Sequence, residues 1–365
     1  MDFSALLKTP MTEALGCRYP IMQTAMGWVA DAGLVTATTR AGGFGFLAGA
    51  TIAPSELEGE IIKVCEATGG SNFGLNFHMF QENAQQCFDL AIKHRLRAVS
   101  YGRGPDKKTI QRFKDAGVLC IPTVGAAKHA IKAVQLGADM ITIQGGEGGG
   151  HTGSVPTSIL LPQVLDAVKV PVIAAGGLST GRSLAAVLAA GAAGLALGTR
   201  FLMTTDAPTP AATLRKYVEV DDVSRIDVTT AVDGMRHRLI DNPYLRRLEK
   251  AGSIGRLFIA LGSAWRWKKD TGMTVGHMLS VLARTVKEDP GALSEVVMAA
   301  NQPVLLQHSM VQGHPDQGIL PSGQVAAVIG ELVSCREVIE GIAAEATACL
   351  AALYQHAGSG VGSPS

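Results

Sequence analysis

Between Ile143 and Gly153 the chain reads IQGGEGGGHTG, with five glycines in the six positions from Gly145 and His151 just beyond them. Glycine lets a backbone approach a ligand closely and adopt positive φ. Consecutive backbone N–H groups in such a turn can cradle an anion, most often a phosphate. A histidine at the end of that cradle is a group able to move a proton near neutrality. The plain structural alternative is a flexible loop with a surface histidine, and the rest of the chain decides between them. Two more turns of this kind follow. AAGGLSTGRS carries Gly176 and Gly177 ahead of a helix start, and ALGTRFL carries Gly198 and Thr199.

These turns need rigid elements to position them, and the chain supplies a rhythm of short apolar runs alternating with helical patterns. Candidate strands fall at 20–26, 43–48, 73–77, 98–102, 119–124, 140–144, 171–175 and 194–198. Strands alternating with helices imply parallel βαβ units. Eight units in about 200 residues match a TIM (β/α)8 barrel. A doubly wound open sheet is the alternative, but no GxGxxG opens the first turn. Barrel ligands meet the C-terminal strand ends. Those ends hold Ala25, Met26 and Gly27, then Asn76 and His78, Tyr101, Thr123, Gln144 to His151, Ala175 to Gly177, and Gly198 with Thr199. Loops after strands seven and eight form the recurrent phosphate site of such barrels, which suits FMN.

The chain has 365 residues, 47% hydrophobic and 17% charged, with a formal net charge of +1. A large core is affordable, and nothing in the overall charge favours nucleic acid or a membrane surface. No apolar run is long enough for a membrane span. Cys17, Cys65, Cys87, Cys120, Cys335 and Cys349 form no CxxC pair, which argues against a zinc site or disulfide framework and for a reducing cytoplasm. No metal site is expected.

Beyond Pro208 the strand signals fade. From Arg236 to Lys269 nine Lys or Arg stand against Asp241 and Glu249, interleaved with Leu, Phe and Trp. One reading is an amphipathic helix pair with a solvated basic face; the other is a cap that meets an anionic substrate. The expected organisation is a barrel over 1–215, a helical cap inserted after strand eight over 216–318, a helical segment packing back on the barrel over 319–356, and a disordered tail over 357–365.

PIMQTAMGWVA, GGEGGGHTG, PVIAAGGLSTGR and LGTRFL resemble, in order, the motifs of nitronate monooxygenase-like flavoproteins, which include enoyl reductases of one bacterial type. That resemblance implies an FMN-binding barrel with a cap. Matched position by position, it implies that Ala25, Met26, Gly27, Gly149, Gly150, Ala175, Gly176, Gly177, Gly198 and Thr199 hold the flavin, and that His151 is the active-site histidine; Asn76, Thr123 and Gln144, at the strand ends, are counted with the flavin seat. Thr123 stands where nitronate-oxidising members often carry Lys, and Gln144 where they often carry Asp; both weaken a nitronate assignment. VDGMRHR (232–238), VVMAANQPVLL and GILPSGQVAAVI resemble the branch that dehydrogenates an indane-type acyl-CoA in bacterial steroid ring C and D degradation. The branch implies α,β-dehydrogenation of a hydroxy-methyl-oxo-octahydroindene carboxyl-CoA, with NAD as a candidate electron acceptor; a homodimer is a candidate assembly that the sequence leaves open.

That reaction needs a base for the α proton and a flavin for the β hydride, and His151 is the best base. His78 is either an enolate donor or a satisfied strand-end residue. Glu147 either orders the glycine loop or tunes His151. Arg246 and Arg247 are candidates for the CoA phosphates. The other readings are a nitronate monooxygenase or NAD(P)H:quinone reductase, an enoyl-thioester reductase, and a non-redox sugar-phosphate isomerase or aldolase on the same phosphate loops.

Overall fold

The computed structural model describes residues 3–79, 81, 83–102, 104–252, 255 and 301–359. These form two compact units. The first comprises Met1–Gly148, Gly153–Pro208 and Glu331–Ser365, and the second Gly149–Thr152 and Thr209–Gly330.

The first unit is built on parallel strands β1 (Ile21–Gln23), β2 (Phe44–Ala48), β3 (Gly74–His78), β4 (Ala98–Gly102), β5 (Leu119–Cys120), β6 (Thr123–Val124) and β7 (Ile141–Gln144); β8 (Gly150–His151) lies in the second unit, and β9 (Val172–Ala175) and β10 (Gly194–Leu197) complete the first. Their order is β5-β4-β3-β2-β1-β10-β9-β7-β6. The two ends of that order, β5 and β6, are successive pieces of one segment. Ala98 pairs with Leu119 on one side, and Thr123 pairs with Thr142 on the other. Pro122 lies between them and has no N–H to give a ladder. The single strand expected over 119–124 is therefore broken in two, and the break joins the two ends of the sheet into an eight-stranded (β/α)8 barrel.

The alternation of side chains sorts the core into two layers. Met22, Phe44, Phe46, Ile121, Met140 and Ile173 fill the barrel together with Met11 and Leu15. The last two come from the short helix Pro10–Leu15, whose N-cap Thr9 accepts from Thr12 N–H and whose Thr9 hydroxyl donates to the Ala193 carbonyl at 2.6 Å. The second layer, including Leu75, Phe77, Phe88, Tyr101 and Phe113, lies between strands and helices. Tyr101 is 2% exposed and stacks on Phe77, so it belongs to the core and is no strand-end donor. The helix Cys335–Ser359 packs on the helix Gly181–Ala189, where Glu345 Oε2 accepts the Gly181 N–H at 2.7 Å.

The second unit is not all helical. β11 (Ile226–Thr229) and β12 (His237–Ile240) pair antiparallel, and β12 also pairs with β8. The strands are only two to four residues long and are joined by long-range pairing, so they carry no periodic signal of their own. The unit boundaries fall at Pro208/Thr209 and Gly330/Glu331 rather than at 215 and 318. Helix persists through Ala357 to Ser359 where a disordered tail was expected; 360–365 lie outside the described residues. The part of the basic cap that holds Arg256, Trp265, Arg266, Trp267, Lys268 and Lys269 also lies outside them, as does 296–300 of VVMAANQPVLL. No helix among the described residues is long and apolar enough to cross a membrane.

Candidate functional site

The sequence-expected flavin residues of the first unit share one rim. Gln144 pairs with Ala175, Ala175 with Ala196, and Gln23 with Leu197. Ala25 to Gly27 follow β1, and Gly198 with Thr199 follow β10. Asn76 on β3 pairs with Ala48 and Ser100 and donates to the Ser100 carbonyl at 3.1 Å; Thr123 sits on β6. His78 ends β3 with an exposed side chain, and its backbone N–H donates to Gln81 Oε1 at 2.9 Å.

Two features of this rim escaped the sequence reading. Trp28, directly after Gly27, is held at φ +60°, and its N–H donates to Thr51 Oγ1 at 3.0 Å. A bulky side chain in the left-handed region stores strain on the order of 1–3 kcal/mol, a feature that gathers at functional sites. Gln23 is fully buried, and its Oε1 has no hydrogen-bond partner among the described residues. The sequence placed Gln23 inside a strand run, where nothing distinguishes an orphaned acceptor from a satisfied one.

Glu147 orders the loop. The Thr157 N–H donates to its carboxylate at 3.1 and 3.0 Å, and the Thr157 hydroxyl lies 2.9 Å from Glu147 Oε2 and 2.8 Å from the Gly176 carbonyl. The carboxylate thus sits on the N-terminus of the helix Thr157–Ala167, where negative charge is favoured. It also accounts for Gly177, which has φ +71° and whose added Cβ would fall 3.0 Å from Glu147 Cβ. Gly176, at φ +102°, would meet Gly145 N at 2.9 Å. Both glycines are therefore required by the turn itself. The helix start behind them is already occupied by Glu345 at Gly181 N–H, so it is not an open phosphate seat. Gly198 differs: its φ is −101°, and the nearest atom to an added Cβ is Thr24 Oγ1 at 3.2 Å.

The other half of the glycine run belongs to the second unit. An added Cβ on Gly149 would lie 2.5 Å from Gly323 N, so that glycine serves a close backbone approach, while Gly150 (φ +68°) faces open space. His151 stands directly opposite His237 in the β8–β12 pairing. The two rings lie 3.8 Å apart between centroids. Nε2 of His151 and Nε2 of His237 each lie 2.9 Å from the same oxygen, Oδ2 of Asp233. Asp233 Oδ1 accepts the Met235 N–H at 2.9 Å, an Asx turn ahead of β12. Burial alone pushes the Asp233 carboxyl up; the hydrogen bonds from the two histidines more than offset this and hold it well below the usual carboxylate range. His237 is fully buried, whereas the His151 side chain is 44% exposed. Asp233 and His237 were in view in VDGMRHR, but their partner lies 82 residues earlier in the chain.

Arg246 and Arg247 lie on the helix Pro243–Lys250, fixed by buried Leu245 and Leu248 and by the Asn242 cap on Leu245 N–H. Arg246 is committed to Asp241, with Nε 2.9 Å from both carboxylate oxygens. It also lines an open cavity of about 700 Å³ together with the exposed Arg247 and Lys250 and with Pro243, Ala251 and Gly255.

A (β/α)8 barrel with glycine turns on its C-terminal rim, joined to a unit that carries a carboxylate-backed histidine, is the architecture of a barrel enzyme. The chain belongs to the nitronate monooxygenase family, whose model matches residues 8–94 and 79–345. It is 45% identical over 345 residues to the (3aS,4S,5R,7aS)-5-hydroxy-7a-methyl-1-oxo-octahydro-1H-indene-4-carboxyl-CoA dehydrogenase of Mycobacterium tuberculosis, covering 93% of this chain and 96% of that protein. It is 42% identical to the protein of the same name from Rhodococcus jostii over 340 residues, with the same coverage. Among solved structures it is similar to FabK from Thermotoga maritima (TM-score 0.77, 26% identity, 96% of this chain and 99% of that one). It is also similar to a nitroalkane oxidase from Streptomyces ansochromogenes (TM-score 0.75, 26% identity, 94% and 99%).

Replacing Glu147 with Ala removes a charged acceptor shared by two donors of one residue. The expected loss of stability is about 1–3 kcal/mol, read as a lower denaturant midpoint at unchanged slope. An unchanged midpoint would mean that the carboxylate does not hold the turn.

Proposed function

We propose that the protein is a flavin-dependent oxidoreductase, with FMN as the flavin, that introduces an α,β double bond into a hydroxy-methyl-oxo-octahydroindene carboxyl-CoA thioester in steroid ring degradation. The observation that carries the reading is His151, an accessible imidazole whose Nε2 is held by an ionised, buried carboxylate. That arrangement serves a reaction that begins with removal of a proton. The substrate class rests on the near full-length similarity to two relatives that share one printed activity.

The rim of the first unit fits a flavin. Gln23 Oε1 is a buried acceptor with no partner among the described residues, Gly176 and Gly177 present a left-handed turn, and Gly198 follows β10 directly. Ala25, Met26, Gly27, Asn76, Thr123, Gln144, Ala175 and Thr199 would complete the seat, with the strained Trp28 fixing the turn after β1. A flavin bound there supplies acceptance of the hydride from the β carbon. His151 takes the α proton, and backbone N–H groups of the glycine run stabilise the developing enolate oxygen. NAD is the proposed final electron acceptor. Nitronate oxidation is the second reading, favoured by the similarity to a nitroalkane oxidase.

CoA brings several phosphate charges, whereas a nitronate is small. Among the described residues that line the cavity, Arg247 and Lys250 are the proposed contacts for them, since Arg246 is already paired with Asp241. Arg247→Glu combined with Lys250→Glu should raise KM for the acyl-CoA several-fold, less so at high salt, where exposed charges are screened. A CoA-free analogue should bind as before; equal effects on both ligands, or none on either, would remove this seat.

For the flavin, Gly198→Asp is a cleaner probe than Gly177→Asp, which would strain the turn against Glu147 whether or not a flavin binds. The Gly198→Asp protein should purify folded but colourless. A fully yellow variant would show that the flavin phosphate lies elsewhere.

A further inference from the structure

We propose that Asp233 and His237 act as positioning residues that lock His151 in one tautomer, with the proton on Nε2 and the lone pair on Nδ1. This rests on the reading of His151 as the base. The starting point is one oxygen atom. Asp233 Oδ2 lies 2.9 Å from the Nε2 atoms of both histidines, and Oδ1 accepts the Met235 N–H. An ionised carboxylate has no proton to offer, so both contacts require the histidines to donate. Both rings therefore carry hydrogen on Nε2, and in the neutral state each keeps its lone pair on Nδ1.

The two histidines then differ in what they can do. His237 is fully buried, and its Nδ1 has no hydrogen-bond partner among the described residues. A second proton there would be a buried donor without an acceptor, which costs on the order of 1–3 kcal/mol or more. His237 thus serves as a fixed hydrogen-bond donor through Nε2. It occupies one side of Oδ2 and keeps the carboxylate from turning away. His151, with its exposed side chain, is the member that can change charge. When its Nδ1 forms a bond to the substrate's α proton, the C–H bond breaks and its electron pair stays on the substrate. The resulting imidazolium is then balanced by Asp233 without movement of any group.

Two histidines and a carboxylate are also the donor set of a metal centre, and these three lie close enough for one. A metal on the Nε2 atoms would put hydrogen on each Nδ1. Ligand histidines almost always donate that second hydrogen to an acceptor. His237 Nδ1 has none, so the geometry favours the tautomer lock.

Asp233→Asn separates the possibilities. The Met235 N–H holds the amide oxygen on its own side, so the amide nitrogen points at the two Nε2 atoms. His151 must then move its hydrogen to Nδ1 and lose the lone pair there. In ¹⁵N-histidine-labelled flavin-loaded protein, the nitrogen shifts should report Nε2–H at both rings, unchanged by a chelator. In Asp233→Asn, His151 should switch to Nδ1–H, and kcat should fall about 10²–10⁴-fold with KM within a few-fold. His237→Phe should keep the His151 tautomer and lose less activity. If Asp233→Asn does not fold, the wild-type tautomers decide: Nδ1–H at both rings, or a stoichiometric metal whose removal changes them, would overturn the proposal. An unswitched His151 with unchanged kcat in Asp233→Asn would overturn it too. His151→Ala is the control on the underlying reading: full turnover there would reject His151 as the base, whatever the tautomers show.

Discussion

The geometry of the candidate site depends on a buried carboxylate that accepts three hydrogen bonds. Asp233 is 3% exposed, and its two oxygens take the donors of His151, His237 and the Met235 backbone. Removing one partner from such a group leaves a desolvated charge, which costs far more than the bond is worth in water. The arrangement therefore holds as a set. A second carboxylate does the corresponding work at the other end of the glycine run, where Glu147 is fastened to Thr157. The chain passes from the barrel unit to the second unit after Gly148 and returns after Thr152. Each half of the run is thus anchored by an acid within its own unit, and the glycines between are free of side chains that would compete for those positions.

Much of the barrel was legible in the sequence because each strand is a short apolar run bounded by a turn. All eight candidate segments contain strands. The break at Ile121–Pro122 was also within reach, since Pro122 was visible and proline interrupts a ladder. The sheet of the second unit was not legible. β8 is two residues inside a glycine-rich run, and it exists only because β12 pairs with it across the sequence.

The site was legible in part. His151 stood out by type and position, and the structure supplies its partners. Asp233 and His237 lay in a motif noticed for its resemblance, but an i, i+4 Asp–His pair has no chemistry until a third residue arrives. The glycines taught the opposite lesson. Gly149, Gly176 and Gly177 suggested a ligand, yet close packing against Gly323, Gly145 and Glu147 already requires them. Gly150 faces open space but has φ +68°, and Gly198 has negative φ with Thr24 Oγ1 3.2 Å from an added Cβ. Arg246, expected to meet a phosphate, lines the basic cavity but is also paired with Asp241, an acid five residues away whose role the sequence did not single out.

Family membership fixes the architecture, while the proposed substrate choice rests on two separate features of the second unit, His151 and the basic cavity. A carboxylate-backed histidine and a cavity lined by Arg247 and Lys250 suit a large anionic thioester better than a small nitronate. Anaerobic mixing of the flavin-loaded protein with the hydroxy-indane acyl-CoA, followed by flavin absorbance, is the most direct test. Bleaching by the thioester without oxygen, and none by an alkyl nitronate, is the expected result. Bleaching by the nitronate with none by the thioester would contradict the assignment.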